Sequence, residues 1–116
     1  MTVLGLPALL ANMGRIEAQI VAAQAEGLAE AAEHIRDAWV GNIEAEGLVD
    51  TGAYRDSIKV AMDDGGAVVF TDVPYSPFLE YGTSDTPAHP VAERAFDEHA
   101  DQATGIVGDR IRSVIR

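Results

Sequence analysis

From Leu6 to about Glu46, apolar or small residues return every three or four positions: Leu9, Met13, Ile16, Ile20, Ala23, Gly27, Ala31, Ile35, Trp39 and Ile43. Glu17, Glu26, Glu30, Glu33 and Glu44 fall mostly between them. That spacing predicts an amphipathic helix. Unbroken, it would run about 60 Å at 1.5 Å per residue, whereas a compact domain of this size has a radius of gyration of about 13 to 14 Å. Such a helix either bends, with Gly27 and Gly41 as the weak places, or projects and packs on a neighbouring copy.

Asn42 and Gly47 bracket the end of this helix, and Asp50 to Arg55 then reads as a turn, with one helical turn capped by Asp50 or Thr51. In "SIKVAM" Ile58, Val60 and Met62 alternate with Ser57, Lys59 and Ala61, the period of a half-buried strand. "DDGG" supplies a turn and "AVVFTDV" the returning strand, giving a β-hairpin. "PYSPFLEYGT" predicts a short helix, with Ser76 as N-cap, Pro77 in the first helical position and Gly82 as a left-handed stop. After the loop "SDTPAHP", Pro90 opens a last helix whose Ala92, Phe96, Ala100, Ala103, Val107, Ile111 and Val114 share a stripe, weakened by Gly105 and Gly108. No repeat or low-complexity tract interrupts this order.

These elements predict an α+β fold: a long N-terminal helix, a β-hairpin or small antiparallel sheet, a short helix, and a C-terminal helix covering the apolar face of the sheet. With 116 residues the chain is expected to form a single domain. Its parts are the long helix over 1–46, the hairpin, short helix and loop over 47–88, and the last helix over 89–116.

Charge narrows the partners. Nineteen acidic against eight basic side chains give a formal net charge of −11, a surface that repels phosphate backbones. Arg110, Arg112 and Arg116 gather near the C-terminus, where cations complement a helix dipole, so tight sequence-specific DNA binding is not expected. The chain has no cysteine, so disulfides and thiolate metal sites are excluded. "VLGLPALLA" lacks a preceding Lys or Arg and contains Pro7, which fits a helix N-terminus better than a secretory signal. No run reaches the length of a membrane span, and a soluble protein made without export is the expectation.

The one catalytic decoy is Asp50-Thr51-Gly52, the triplet that carries the carboxylate of aspartic proteases, in a chain about as long as a retroviral-type protease subunit. Two such carboxylates facing across a dyad would share a proton and activate water, and "GIVGD" at 105–109 resembles the supporting element of that family. Those proteases are nearly all β, however, while helical periodicity occupies most of this chain, and no apolar strand or glycine-rich flap is present to deliver Asp50. Asp50 reads better as a capping residue. His34, His89 and His99 are too far apart for a paired-histidine zinc motif, and adjacent Glu98 and His99 point about 100° apart on a helix. Ser57, Ser76, Ser84 and Ser113 lack a nucleophile elbow, and no glycine loop cradles phosphate. No catalytic residue, cofactor or metal ligand is therefore expected.

Three ordered motifs carry a resemblance: "VDTGAYRDSI" at 49–58, "VPYSPFLEYGT" at 73–83 and "PAHPVAERAF" at 87–96. Together they resemble the HK97 gp10-like proteins of tailed bacteriophages and prophages, in which an Asp-Thr-Gly turn leads into a strand, a Tyr-x-Pro segment ends in Glu-Tyr/Phe-Gly-Thr, and a Pro-x-x-Pro loop opens the last helix. The likeness covers roughly residues 45–100, and the first helix matches by position and type. His89 stands where that family usually has Arg, and Val91 where it commonly has an aromatic residue. If that Arg bridges to a neighbouring subunit, His89 makes the contact weaker or pH-dependent.

The resemblance implies a non-enzymatic neck or tail-completion subunit of the virion, made in the host cytoplasm and assembled at the head–tail junction into a ring such as a hexamer or dodecamer. Its partners would be copies of itself, a head connector or stopper and a tail terminator, with DNA passing through the lumen unbound. Asp50, Thr51 and Gly52 would fix the helix-to-strand turn. Tyr75, Pro77, Glu80, Tyr81 and Gly82 would form the short helix and present Phe78 and Glu80 to a partner, while His89 and Pro90 set the angle of the last helix. Acidic walls would keep a DNA channel from gripping its cargo. Two alternatives stay open from sequence: the aspartic protease, and a small oligomeric protein-binding module.

Overall fold

The computed structural model of the chain describes residues 6–48, 52–63 and 66–115. In order these form α1 (Leu6–Ala45), α2 (Ala53–Asp56), β1 (Lys59–Asp63), β2 (Gly66–Phe70), α3 (Ser76–Tyr81) and α4 (Val91–Val114). The fold is α+β, as the periodicity predicts.

α1 is one continuous helix of 40 residues, and neither Gly27 nor Gly41 interrupts it. The molecule is accordingly a rod of 79 × 22 × 22 Å with a radius of gyration of 20.2 Å. Gly27 instead marks the closest approach of the two long helices: a Cβ there would stand 3.0 Å from the Val107 Cα. Ala23, Gly27 and Ala31 recur every four residues, and the two alanines are buried, so small side chains let α4 lie along α1. The helices are antiparallel. Asn42 Nδ2 donates to the Val91 carbonyl at 3.0 Å, His34 meets His99, and Arg110 reaches Glu26 and Glu30.

α1 ends in a Schellman arrangement. Gly47 adopts φ +71, its N–H donates to the Glu44 carbonyl at 3.1 Å, and the Leu48 N–H donates to the Ile43 carbonyl at 3.0 Å. That reversal drops Leu48 onto the main core, where Trp39, Ile43, Tyr54, Ile58, Val91 and Ala95 are buried together. Inside it the Trp39 indole N–H donates to the Tyr54 hydroxyl at 3.1 Å, which satisfies a polar atom that burial would otherwise strand.

The hairpin pairs Lys59 with Phe70, Val60 with Val69, Ala61 with Val68, Met62 with Ala67 and Asp63 with Gly66. The two turn residues of "DDGG", Asp64 and Gly65, lie outside the described residues. Ile58 is fully inside and Val60 and its partner Val69 are half-buried on the same face; Met62, which shares that face by alternation, is exposed near the end of the hairpin, and Val68 is exposed on the other face. The two-stranded sheet packs on α1, and Arg36 Nε fixes its approach by donating to the Ile58 carbonyl at 3.0 Å. This corrects the expectation that α4 covers the sheet. α4 spends its apolar stripe on α1, and only its first turns, with Val91 and Ala95, reach the shared core. An apolar groove of about 370 Å³ remains between α1, β2 and α4, bordered by Leu28, Ile35, Val69 and Phe96.

Candidate functional site

The helical turn expected near Asp50 exists as α2, but its cap is Gly52, in the left-handed region at φ 78, with no side-chain hydrogen bond. Its carbonyl accepts from the Asp56 N–H at 2.9 Å. Asp50 and Thr51, expected as caps, lie outside the described residues. Gly52 is buried, and a Cβ there would come within 2.8 Å of the Arg55 guanidinium. The turn delivers Tyr54 and Ile58 to the core, so its part in the fold is to join α1 to the hairpin.

α3 begins one residue ahead of the expected boundary. Tyr75 occupies the N-cap position, Ser76 is the first helical residue and makes no capping bond, and Pro77 follows it. The helix stops at Gly82, with φ 78 and ψ 172. A side chain there would need to fit within 2.9 Å of the Ala88 nitrogen and 3.0 Å of the Thr86 carbonyl. Glycine is thus demanded twice, by the backbone angle and by the loop folded against it.

Glu80 serves the fold rather than pointing outward. Its carboxylate accepts from the Ala92 N–H at 3.0 Å and the Glu93 N–H at 2.9 Å. These are two of the free donors of the first turn of α4, which Pro90 at the N-cap position cannot satisfy with a side chain. A negative group on a helix N-terminus is also favoured by the dipole. The Glu80 carboxylate therefore pins α3 to α4, and the His89 N–H, donating to the Leu79 carbonyl at 2.7 Å, closes the same joint.

A second carboxylate ties α4 and the loop before it to the end of α1. Glu46, just past the end of α1, takes His89 Nδ1 at 2.7 Å on one oxygen and the Arg94 guanidinium on the other. Hydrogen bonds from His89 and then Arg94 hold the Glu46 carboxyl below its ordinary value. His89, expected to weaken or tune a contact with a neighbouring subunit, has its partner within its own chain.

With Glu80 and His89 occupied, the large side chains exposed on α3 and at its N-cap are aromatic. Tyr75, Phe78 and Tyr81 are 43%, 60% and 79% exposed. The Tyr75 ring is braced edge-on by Tyr54 at 6.2 Å between centroids. Pro77, Glu80 and Tyr81 border a cleft of about 220 Å³ that reaches Trp39 and Ala92. A second apolar surface lies at the far end of the rod. α4 finishes where Ser113 and Val114 meet Gln19, Ala22 and Ala23, so residues 6–18 of α1 extend about 20 Å beyond it at 1.5 Å per residue. Met13 and Ile16 on this extension are exposed, and with Ile20 and Val21 they border a shallow apolar depression. Exposed aromatic clusters and unpartnered apolar helix faces are what protein–protein contacts bury.

Sequence reasoning missed the Glu46–His89–Arg94 clasp, the capping of α4 by Glu80 and the meeting of His34 with His99. Each joins residues far apart in the chain and leaves no local pattern. Among the described residues no group of three His, Cys, Asp or Glu side chains is placed to hold a metal ion, and no helix is long and apolar enough to cross a membrane.

Residues 8–82 match the family described as "Bacteriophage HK97-gp10, putative tail-component". The match takes in α1, the hairpin and α3, and ends on Gly82, ahead of the Pro-x-x-Pro loop and α4. No curated protein and no solved structure matches the chain. Because the matched span exceeds half of the 116 residues, the chain belongs to the HK97-gp10-like family of bacteriophage tail components and is a structural part of a phage particle.

Proposed function

We propose that the protein is a neck or tail-completion subunit that joins the head connector to the tail by assembling with copies of itself into a ring. The observation that supports this most is the extension of α1 beyond α4, with the apolar face of Met13 and Ile16 left uncovered. A helix that outruns its own domain has its hydrophobic complement on another molecule. In a ring each copy would lay this face on the next, a head-to-tail contact that closes by rotation. The exposed aromatic residues of α3 sit at the opposite end of the rod and suit a different neighbour, the connector on the head side or the terminator on the tail side. The net charge of −11 fits a channel through which DNA slides without being held.

Catalysis has no part in this reading. A retroviral-type protease is nearly all β, whereas this chain is dominated by two long helices, and the carboxylates at the α3–α4 joint are engaged by backbone N–H groups and basic side chains.

The test is Ile16→Asp, studied by light scattering alone and with candidate connector and terminator partners. Ile16 is 46% exposed, so the monomer should keep its helix content while the ring fails to form. Assembly equal to that of the unaltered chain would refute the assignment of this face.

A further inference from the structure

We propose that His34, His99 and Gln102 form a site for a divalent transition-metal ion of the imidazole-preferring class, Zn²⁺ or Ni²⁺, that clamps α1 to α4. The inference is independent of the head–tail reading and begins from three distances. His34 Nε2 lies 3.1 Å from His99 Nδ1 and 2.7 Å from Gln102 Oε1, and His99 Nδ1 lies 2.9 Å from the same oxygen. Each atom is within hydrogen-bond distance of both others.

Protons bond at most two edges of such a triangle at once. A closed cycle of three hydrogen bonds requires every member to donate and accept at once, as a hydroxyl can and a ring nitrogen or an amide oxygen cannot. If only His34 Nε2 carries the proton, the lone pairs of His99 Nδ1 and Gln102 Oε1 face each other at 2.9 Å. If only His99 Nδ1 carries it, the conflict moves to the 2.7 Å edge. With both protonated, the two N–H groups converge on the two lone pairs of Gln102 Oε1, and the 3.1 Å edge between the nitrogens carries no hydrogen bond. Turning the Gln102 amide over exchanges an acceptor for a donor and leaves one edge unmatched in every tautomer.

A cation engages all three atoms at once, because three lone pairs can then point at one centre. The dimensions fit. Metal–imidazole bonds of ~2.1 Å put neighbouring ligands ~3.0 Å apart around an octahedral ion and ~3.4 Å apart around a tetrahedral one, so this triangle matches an octahedral face with three positions left for water. The imidazoles meet edge-on, with centroids 5.0 Å apart and planes at 69°, as two ligands of one ion do. Two imidazoles with one amide oxygen select zinc, nickel or copper over calcium or magnesium. The surroundings are acidic: Asp97, Glu98 and Asp101 flank His99 on α4 and make no ion pair among the described residues. Both histidines are half-buried and Gln102 is exposed, so an ion has access from solvent.

Calorimetric titration of the untagged, chelator-stripped protein with ZnCl2 and NiCl2 tests this. One ion per chain is expected, and His34→Ala or His99→Ala should each weaken binding at least tenfold. Gln102→Leu, which spares both imidazoles, should weaken it only severalfold, and His89→Ala should titrate like the original. With metal at ten times its dissociation constant, the folded-to-unfolded ratio should rise ~tenfold and return on chelation. If either alanine variant fails to fold, paramagnetic broadening by Ni²⁺ in the unaltered protein decides: centred on residues 34 and 99 it supports the site, and centred on His89 it overturns it. Absence of binding at millimolar metal, or binding that survives His34→Ala in a folded protein, also overturns it.

Discussion

Replacing Glu80 by alanine removes the one side chain among the described residues that satisfies the first turn of α4, and the size of the effect follows from the contacts. Two backbone N–H groups, those of Ala92 and Glu93, lose a charged acceptor at 3.0 and 2.9 Å. A hydrogen bond to a charged group contributes about 1.5 to 3 kcal/mol when buried, and loss of a good N-cap costs about 0.5 to 2 kcal/mol. Glu80 is half-exposed and water can replace part of what is lost, while Glu93 still places a negative charge in the first turn. The expected destabilisation is therefore about 2 kcal/mol for Glu80→Ala. Glu80→Gln, which keeps an acceptor oxygen and loses the charge, should cost about half as much. For a chain of this length 1 kcal/mol corresponds to a melting shift of about 4 °C, so the alanine variant should melt about 8 °C lower. Urea unfolding monitored by circular dichroism measures the same quantity as a lower midpoint at unchanged slope. Hydrogen exchange adds a local readout, because the Ala92 and Glu93 amides should lose protection ahead of the rest of α4. Stability of Glu80→Ala within 0.3 kcal/mol of the original, with those two amides still protected, would refute the capping argument.

Other perturbations separate the remaining contacts. Because His89 and Arg94 lower the Glu46 carboxyl from its ordinary 4.5, the clasp stabilises the fold fully above that pH and loses its effect as pH falls through the depressed value. The stability gap between the original chain and Glu46→Gln should thus be full above pH 4.5 and close as pH falls below it, in a pH series of urea melts. Gly41 has open space where a Cβ would stand, so Gly41→Ala should stabilise by about 0.5 to 1 kcal/mol. Gly27→Leu, by contrast, forces α1 away from Val107 and should cost about 1 to 3 kcal/mol, and equal melting temperatures for the two variants would contradict the close approach. Tyr54→Phe leaves the buried Trp39 N–H without its acceptor and should destabilise by about 1 to 3 kcal/mol, with a change in the tryptophan emission that fluorescence records.

Much of the architecture could be read in advance because its signals are local. Helix periodicity, the "DDGG" turn, Gly82 and Pro90 act within a few residues of themselves, and each marks a boundary of the structure to within a residue or two. The long helix was legible, and so was its excess length over a compact domain. Which surfaces it would meet was not. The apolar stripe of α4 has the same period whether it lies on a sheet or on α1, and small residues at Ala23, Gly27 and Ala31 decide for α1 only once both helices are placed side by side. Ser76 has the composition of a cap, but the chain enters α3 in a helical conformation already at Tyr75, so the hydroxyl has no terminal N–H to take. Glu80 looked available for a partner because a carboxylate twelve and thirteen positions from the amides it caps forms no recognisable box. Glu46, His89 and Arg94 come together only after α1 and α4 are paired.

The main core lies at one end of the rod, where Trp39, Ile43, Tyr54, Ile58, Val91 and Ala95 interlock, whereas the other end is held by alanines, a glycine and the exposed bridges of Arg110 to Glu26 and Glu30. Opening free energies should therefore fall steadily from base to tip, since few large side chains are released as the outer turns come apart. A monomer built this way can unwind and rewind its outer turns against whatever it touches while the base keeps its shape. In the proposed ring, a neighbour's surface would brace these outer turns and supply the large apolar contacts that the rod itself does not place there.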